Sequence, residues 1–99
     1  MNKVYKALSD PSRRKILEML RKRDMTAGEI AEQFQMTKPS LSKHFNVLKK
    51  ADLIQGVRQG TIINYCLNVS VLEEALWALM NRFNPSFAIR GLNRHFSRG

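Results

Sequence analysis

At 99 residues the chain is long enough for one domain, with a core thin enough that dimerisation is a common remedy. Its net charge of +9, from 17 Lys and Arg against 8 Asp and Glu, points to a polyanionic partner, either nucleic acid or an anionic membrane surface. No apolar run approaches the roughly 20 residues that span a bilayer. The first eight residues lack the apolar core of a signal peptide, and the single Cys excludes an intramolecular disulfide framework, so the expected setting is the cytoplasm.

Residues 2–9 predict a short helix, with Val4 and Leu8 on one face and Tyr5 beside Val4. Ser9-Asp10-Pro11 interrupts it. Asp10 is placed to cap the next helix and Pro11 suits its first position. That helix is expected over 11–23, with Ile16, Leu17 and Leu20 inside and Met19 widening the stripe. Arg13, Arg14, Lys15, Arg21, Lys22 and Arg23 make it strongly basic, and such a run reads as a solvated face. Asp24-Met25-Thr26 reads as a turn. Thr26 opens a further helix to Phe34, and Glu29 three residues on completes a capping-box pattern. Gln35-Met36 then makes a tight connection in which Met36 is the buried turn residue.

The stretch from Thr37 to Ala51 predicts a helix with a capped start, Thr37 as N-cap and Pro39 in the first turn. Leu41, Phe45 and Leu48 recur at i, i+4 and i+7 and form its apolar stripe. The far side carries Pro39, Lys43, Asn46 and Lys50, flanked by Ser40 and Ser42, and has no carboxylate. Together with the preceding helix this makes a helix-turn-helix pattern whose outer face suits the major groove of DNA. A solvated surface helix would carry much the same residues.

After Ala51 the period changes to two. Residues 53–57 and 62–67 predict the strands of a β-hairpin, with Arg58-Gln59-Gly60-Thr61 as its loop. Ile63, Tyr65 and Leu67 share one face of the second strand; Ile62, Asn64 and Cys66 share the other. Behind a helix-turn-helix the hairpin reads as a wing, with Arg58 placed to reach a phosphate or a narrow minor groove. Ser70 is expected to open the last helix, over 70–83, with Glu73 completing a second capping box. Its apolar surface is wider than one core-facing stripe requires. The excess predicts a homodimer, with this helix and the first at the interface: Val4, Tyr5, Leu8, Leu72, Leu76, Leu79, Met80 and Phe83. Pro85 breaks that helix. The tail, 84–99, carries Arg90, Arg94 and Arg98 among Phe87, Ile89, Leu92 and Phe96, with no acid. It fits a short amphipathic helix, a DNA-contacting arm, a membrane-surface segment or a disordered extension.

Four stretches in order resemble the ArsR/SmtB family of bacterial winged-helix repressors. Ser9 to Leu17 is similar to its "DPTRRxIL" opening, and Thr26 to Phe34 to its "TxxELA" helix. Ser40 to Phe45, with Leu48, Ala51, Leu53 and Ile54, is similar to "SxSxHLxxLxxAGLI". Arg58 and Gly60, with Tyr65 and Leu67, are similar to "RxGxxxxYxL". Together they span about residues 3–80, and the likeness is closest to the SdpR-type autorepressor subgroup. The resemblance implies a mainly α winged helix-turn-helix with a β-hairpin, dimeric, that binds an inverted-repeat operator in double-stranded DNA and blocks transcription, its own included. It places the DNA readers at Lys38, Pro39, Ser40, Ser42 and Lys43, and the wing contact at Arg58 and Gln59. Asn46 and Lys50 are added from the helical wheel as phosphate candidates. Residues 1–83 would form the DNA-binding and dimerisation domain, and 84–99 a basic tail.

The family's metal sites need Cys-x-Cys on the supporting helix, or Asp and His along the last helix. Residues 26–34 hold no Cys, and 70–83 hold no His or Asp. Cys66, His44 and His95 are too scattered for the roughly four ligands of Zn²⁺, so no metal, cofactor or metal response is expected. His44 is expected to pack against the protein, and Cys66 to act as a small apolar filler. An enzyme is not expected: there is no phosphate-binding Gly loop, and Ser40 and His44 lack a third orienting group. The resemblance to the SdpR-type subgroup also implies a membrane protein that would sequester the repressor. The alternative function is a protein-interaction module whose basic tail binds membrane or such a partner.

Overall fold

The computed structural model describes residues 2–84. Five helices and a small sheet follow one another as α1 (Asn2–Leu8), α2 (Pro11–Lys22), β1 (Met25–Thr26), α3 (Ala27–Ala31), α4 (Lys38–Lys50), β2 (Ile54–Gln59), β3 (Ile62–Leu67) and α5 (Val69–Phe83). The sheet is antiparallel with strand order β1-β3-β2.

The helix boundaries have local causes. Asp10 accepts from the backbone N–H groups of Ser12 and Arg13 and starts α2, with Pro11 at the position where its missing N–H does no harm. Thr26 and Glu29 form the expected capping box at α3, each side chain accepting from the other's backbone N–H. Thr37 accepts from the Ser40 N–H to start α4. That helix ends with Asp52 in the left-handed region at φ +59°, while the Leu53 N–H reaches back to the Leu48 carbonyl at 3.0 Å. This is a Schellman-type stop, with Asp where Gly is the usual choice.

Four expectations need correcting. Met25-Thr26 is not a plain turn: Met25 pairs with Tyr65 and Thr26 with Asn64, giving the sheet a third strand. The supporting helix stops at Ala31, because the N–H groups of Gln33 and Phe34 bond carbonyls only three residues back and tighten the chain into turns. The wing loop is two residues, Gly60-Thr61, since Arg58 and Gln59 remain paired with Ile63 and Ile62. Gly60 has φ +66° while Thr61 does not cross to positive φ, the pattern of a type II′ hairpin turn. Finally, α5 begins at Val69 rather than Ser70. The Asn68 N–H is held by the Leu53 carbonyl at 2.9 Å, which fixes the chain immediately after β3, and Asn68 stands at the N-cap without a side-chain bond.

One apolar core joins these elements. Ile16, Ile30, Leu48 and Leu53 are its largest fully buried side chains, each worth about 1.5–3 kcal/mol of burial. Leu41, Phe45 and Leu48 turn into it as the α4 stripe predicted, and Met36, half-buried, packs against it. Val4 and Ala7 of α1 are buried in the same core.

Candidate nucleic-acid interface

Burying Leu41, Phe45 and Leu48 turns the rest of α4 outward. Lys38, Pro39, Ser40, Ser42, Lys43, Asn46, Lys49 and Lys50 are all exposed, and none is acidic. The ion pairs Arg13–Asp10 (4.0 Å) and Arg23–Glu29 (2.9 Å) lie elsewhere. The helix therefore presents its Lys charges without an internal carboxylate to neutralise them. Ser40 is partly committed to the N-cap, where its hydroxyl accepts from Thr37 Oγ1 at 3.0 Å.

The wing is tied to this helix by stacked rings. Phe45 of α4 and Tyr65 of β3 lie 5.1 Å apart between centroids, at 15° between planes. Lys49 Nζ sits 5.8 Å from the Tyr65 centroid, a cation–π contact with the same ring. Gly56, opposite Tyr65 in the register, makes the close approach possible: a Cβ there would lie 2.9 Å from Ile63 Cγ2 and 3.3 Å from Tyr65 Cε1. Arg58 and Gln59 lie at the end of β2 next to the turn, both exposed. The structure thus puts the α4 candidates on one continuous face and fixes the wing beside it. Lys49, which the wheel did not single out, belongs to the join between the two.

A second join was not anticipated. Arg13, read as one charge of a solvated run, has a side chain only 12% exposed. Its Nε donates to the Ala7 carbonyl (2.8 Å) and its Nη2 to the Lys6 carbonyl (2.9 Å), satisfying the end of α1. Its Nη1 lies 3.2 Å from His44 Nδ1. One guanidinium thereby links α1, α2 and the recognition helix, and His44 is engaged with the protein as expected. Burial works against the charged Asp10 carboxylate, but the Ser12 and Arg13 backbone bonds, with help from His44 and Arg13 charge, hold its pKa below the usual 3.8. The Thr26 backbone N–H and the Arg23 guanidinium likewise lower the Glu29 carboxyl.

The apolar candidates divide. Tyr5, Leu8 and Leu72 are half-buried against the core, and Leu79 is half-buried too. Leu76 (46% exposed), Met80 and Phe83 (80% exposed), with Val69, leave a bare apolar stripe along α5. Cys66 is half-buried on the outer face of the wing. Among the described residues no group of three or more His, Cys, Asp or Glu could hold a metal ion, and no helix is long and apolar enough to cross a membrane. The tail, apart from Asn84, lies outside the described residues, and so does the membrane contact expected of it.

A supporting helix and a recognition helix joined by a short turn over one core, with a hairpin stacked at the side, define a winged helix-turn-helix DNA-binding regulator. Residues 10–55 match the family described as bacterial regulatory protein, arsR family. The chain is 51% identical over 84 residues to the transcriptional repressor SdpR of Bacillus subtilis (strain 168), covering 85% of this chain and 93% of that one. It is 37% identical to the HTH-type transcriptional regulator KmtR of Mycobacterium tuberculosis, covering 93% and 69%. The fold matches an ArsR-like transcriptional regulator from Rhodococcus sp. RHA1 at a TM-score of 0.75, with 26% identity over 93% of this chain and 86% of the other. The chain belongs to the ArsR family, a family of transcriptional regulators and not of enzymes.

Proposed function

We propose that this protein is a cytoplasmic transcriptional repressor that binds an inverted-repeat operator as a homodimer, its own promoter among its targets, without responding to metal. The observation that carries the reading is the exposed, carboxylate-free face of α4 opposite a fully packed stripe. Lys38, Pro39, Ser40, Ser42 and Lys43 lie toward the helix N-terminus and read base edges. Asn46 and Lys50 hold phosphates, and Arg58 and Gln59 make the wing contact. The relative named as a transcriptional repressor supports repression as the outcome of binding.

Dimerisation is supported by the bare stripe on α5, where Val69, Leu76 and Phe83 recur every seven residues with Met80 beside them. A second copy of α5, with Tyr5 and Leu8 of α1 at its margin, would cover it. The lack of Cys in 26–34 and of His or Asp in 69–83 supports a repressor released by something other than a metal ion. Residues 1–83 are the working domain in this reading, and 84–99 an accessory tail.

Operator selection with purified protein at two salt concentrations tests it. The expected product is a palindrome with half-site centres about one helical turn apart, roughly 34 Å. Leu76→Glu is expected to yield monomers that lose the palindrome. Enrichment of no sequence, or of a site without symmetry, would overturn the proposal.

A further inference from the structure

The two faces of the wing differ in chemistry. Period-two alternation and the β2–β3 register put Gln55, Val57, Gln59, Ile62, Asn64 and Cys66 on the outer face. None is charged, although the chain carries +9. Arg58 is on the opposite face, in register with Ile63. At the tip, Val57 faces Asn64 and Gln59 faces Ile62 across the strands. Asn64 Nδ2 donates to Gln59 Oε1 at 2.8 Å along one diagonal of that square. On the other diagonal, Val57 and Ile62 are 52% and 54% exposed.

A surface Gln ordinarily samples many rotamers and loses that freedom on binding. Here Asn64 holds the Gln59 amide before any partner arrives. Its Oε1 is engaged, so Nε2 is left as an oriented donor between two aliphatic side chains. The floor of the minor groove at A·T pairs shows only acceptors, while G·C adds the N2 amine. Deoxyribose walls on either side suit aliphatic contacts. We infer that the Asn64–Gln59 amide pair on the outer face of the wing reads base edges in the minor groove, with Asn64 as the positioning residue that presents the Gln59 amide. This rests on the reading that the wing meets DNA, and assigns phosphate contact to Arg58 and base preference to the other face.

The test uses the full chain and its selected operator. At the A·T pairs protected by the wing, DNA is made with I·C or G·C. An I·C pair keeps the minor-groove pattern of A·T, whereas G·C adds the amine. Wild type is expected to bind I·C as A·T and to lose about fivefold or more on G·C. Asn64→Ala brings the I·C to G·C ratio near one while the melting temperature and far-UV circular dichroism stay put. Asn64→Asp accepts from Gln59 Nε2, turns Oε1 outward and reverses the preference toward G·C. A merely structural Asn64 would change affinity for all three DNAs alike. An Asn64→Ala protein that keeps the wild-type ratio, or a wild type that treats I·C and G·C alike, overturns the inference. Arg58→Ala separates the two levels. If it reduces the salt slope by about one while those ratios fail, only the amide reading falls; if the slope is unchanged, wing contact falls with it.

Discussion

Replacing Arg13 removes three hydrogen bonds and one interhelical join together. The Ala7 carbonyl loses its donor at 2.8 Å and His44 Nδ1 its partner at 3.2 Å, while the Lys6 carbonyl loses one donor at 2.9 Å and keeps the Ser9 N–H and hydroxyl. Hydrogen bonds to charged groups are worth about 1.5–3 kcal/mol each, but the Lys6 carbonyl stays satisfied by Ser9. The net expectation for Arg13→Ala is about 2–4 kcal/mol. Arg13→Lys keeps the charge and cannot bridge three acceptors, so it should cost about 1–2 kcal/mol. Urea unfolding at fixed protein concentration, followed by far-UV circular dichroism and Trp77 fluorescence, measures both. A double-mutant cycle with His44→Ala should give a coupling of about 0.5–1.5 kcal/mol. Arg13→Lys within about 0.5 kcal/mol of wild type, the size of an ordinary surface substitution, would refute the bridging role.

Other consequences follow from the same contacts. Asp52→Val should lose about 1–2 kcal/mol because a β-branched residue resists φ +59°, whereas Asp52→Gly should lose nothing or gain; equal losses in urea midpoints would contradict the helix stop. Gly56→Ala should cost about 1–3 kcal/mol by forcing Ile63 and Tyr65 aside, and less when Ile63→Ala has made room; strict additivity would show that the crowding is elsewhere. Asp10 and Glu29 have folded pKa values below their usual 3.8 and 4.5, so their stabilisation is full above those values and is lost as pH falls through the lowered ones. Asp10→Asn and Glu29→Gln should each flatten the acid limb of stability below about pH 4.5, and an unchanged limb in both would refute the assignment.

What could be read from the residues alone was what local chemistry decides. Thr37, Pro39 and the Leu41-Phe45-Leu48 stripe define α4 within its own length, and Asp10-Pro11 and Thr26-x-x-Glu29 do the same for α2 and α3. What escaped depends on distant partners. Two residues at Met25-Thr26 carry no strand signal until Tyr65 and Asn64 arrive beside them. Ser70-x-x-Glu73 looks like a helix start, yet the bond from the Asn68 N–H to the Leu53 carbonyl sets the start earlier. Arg13 is indistinguishable in sequence from Arg14 or Lys15. Only the packing of α1 against α2 brings it to the carbonyls at the end of α1. The candidate site followed the same division: the α4 face was legible from its wheel, while the stacking of Tyr65 on Phe45 and the Asn64–Gln59 bond required the sheet.

The central claim is that α4 reads sequence with its N-terminal half and holds phosphate with its C-terminal half. Measuring Lys43→Ala and Lys50→Ala against operator and random duplex over a range of salt tests it directly. Lys43→Ala should lose about 1–3 kcal/mol on operator and distinctly less on random DNA. Lys50→Ala should weaken both alike and lower the salt slope by about one. Operator affinity untouched by Lys43→Ala would contradict the account.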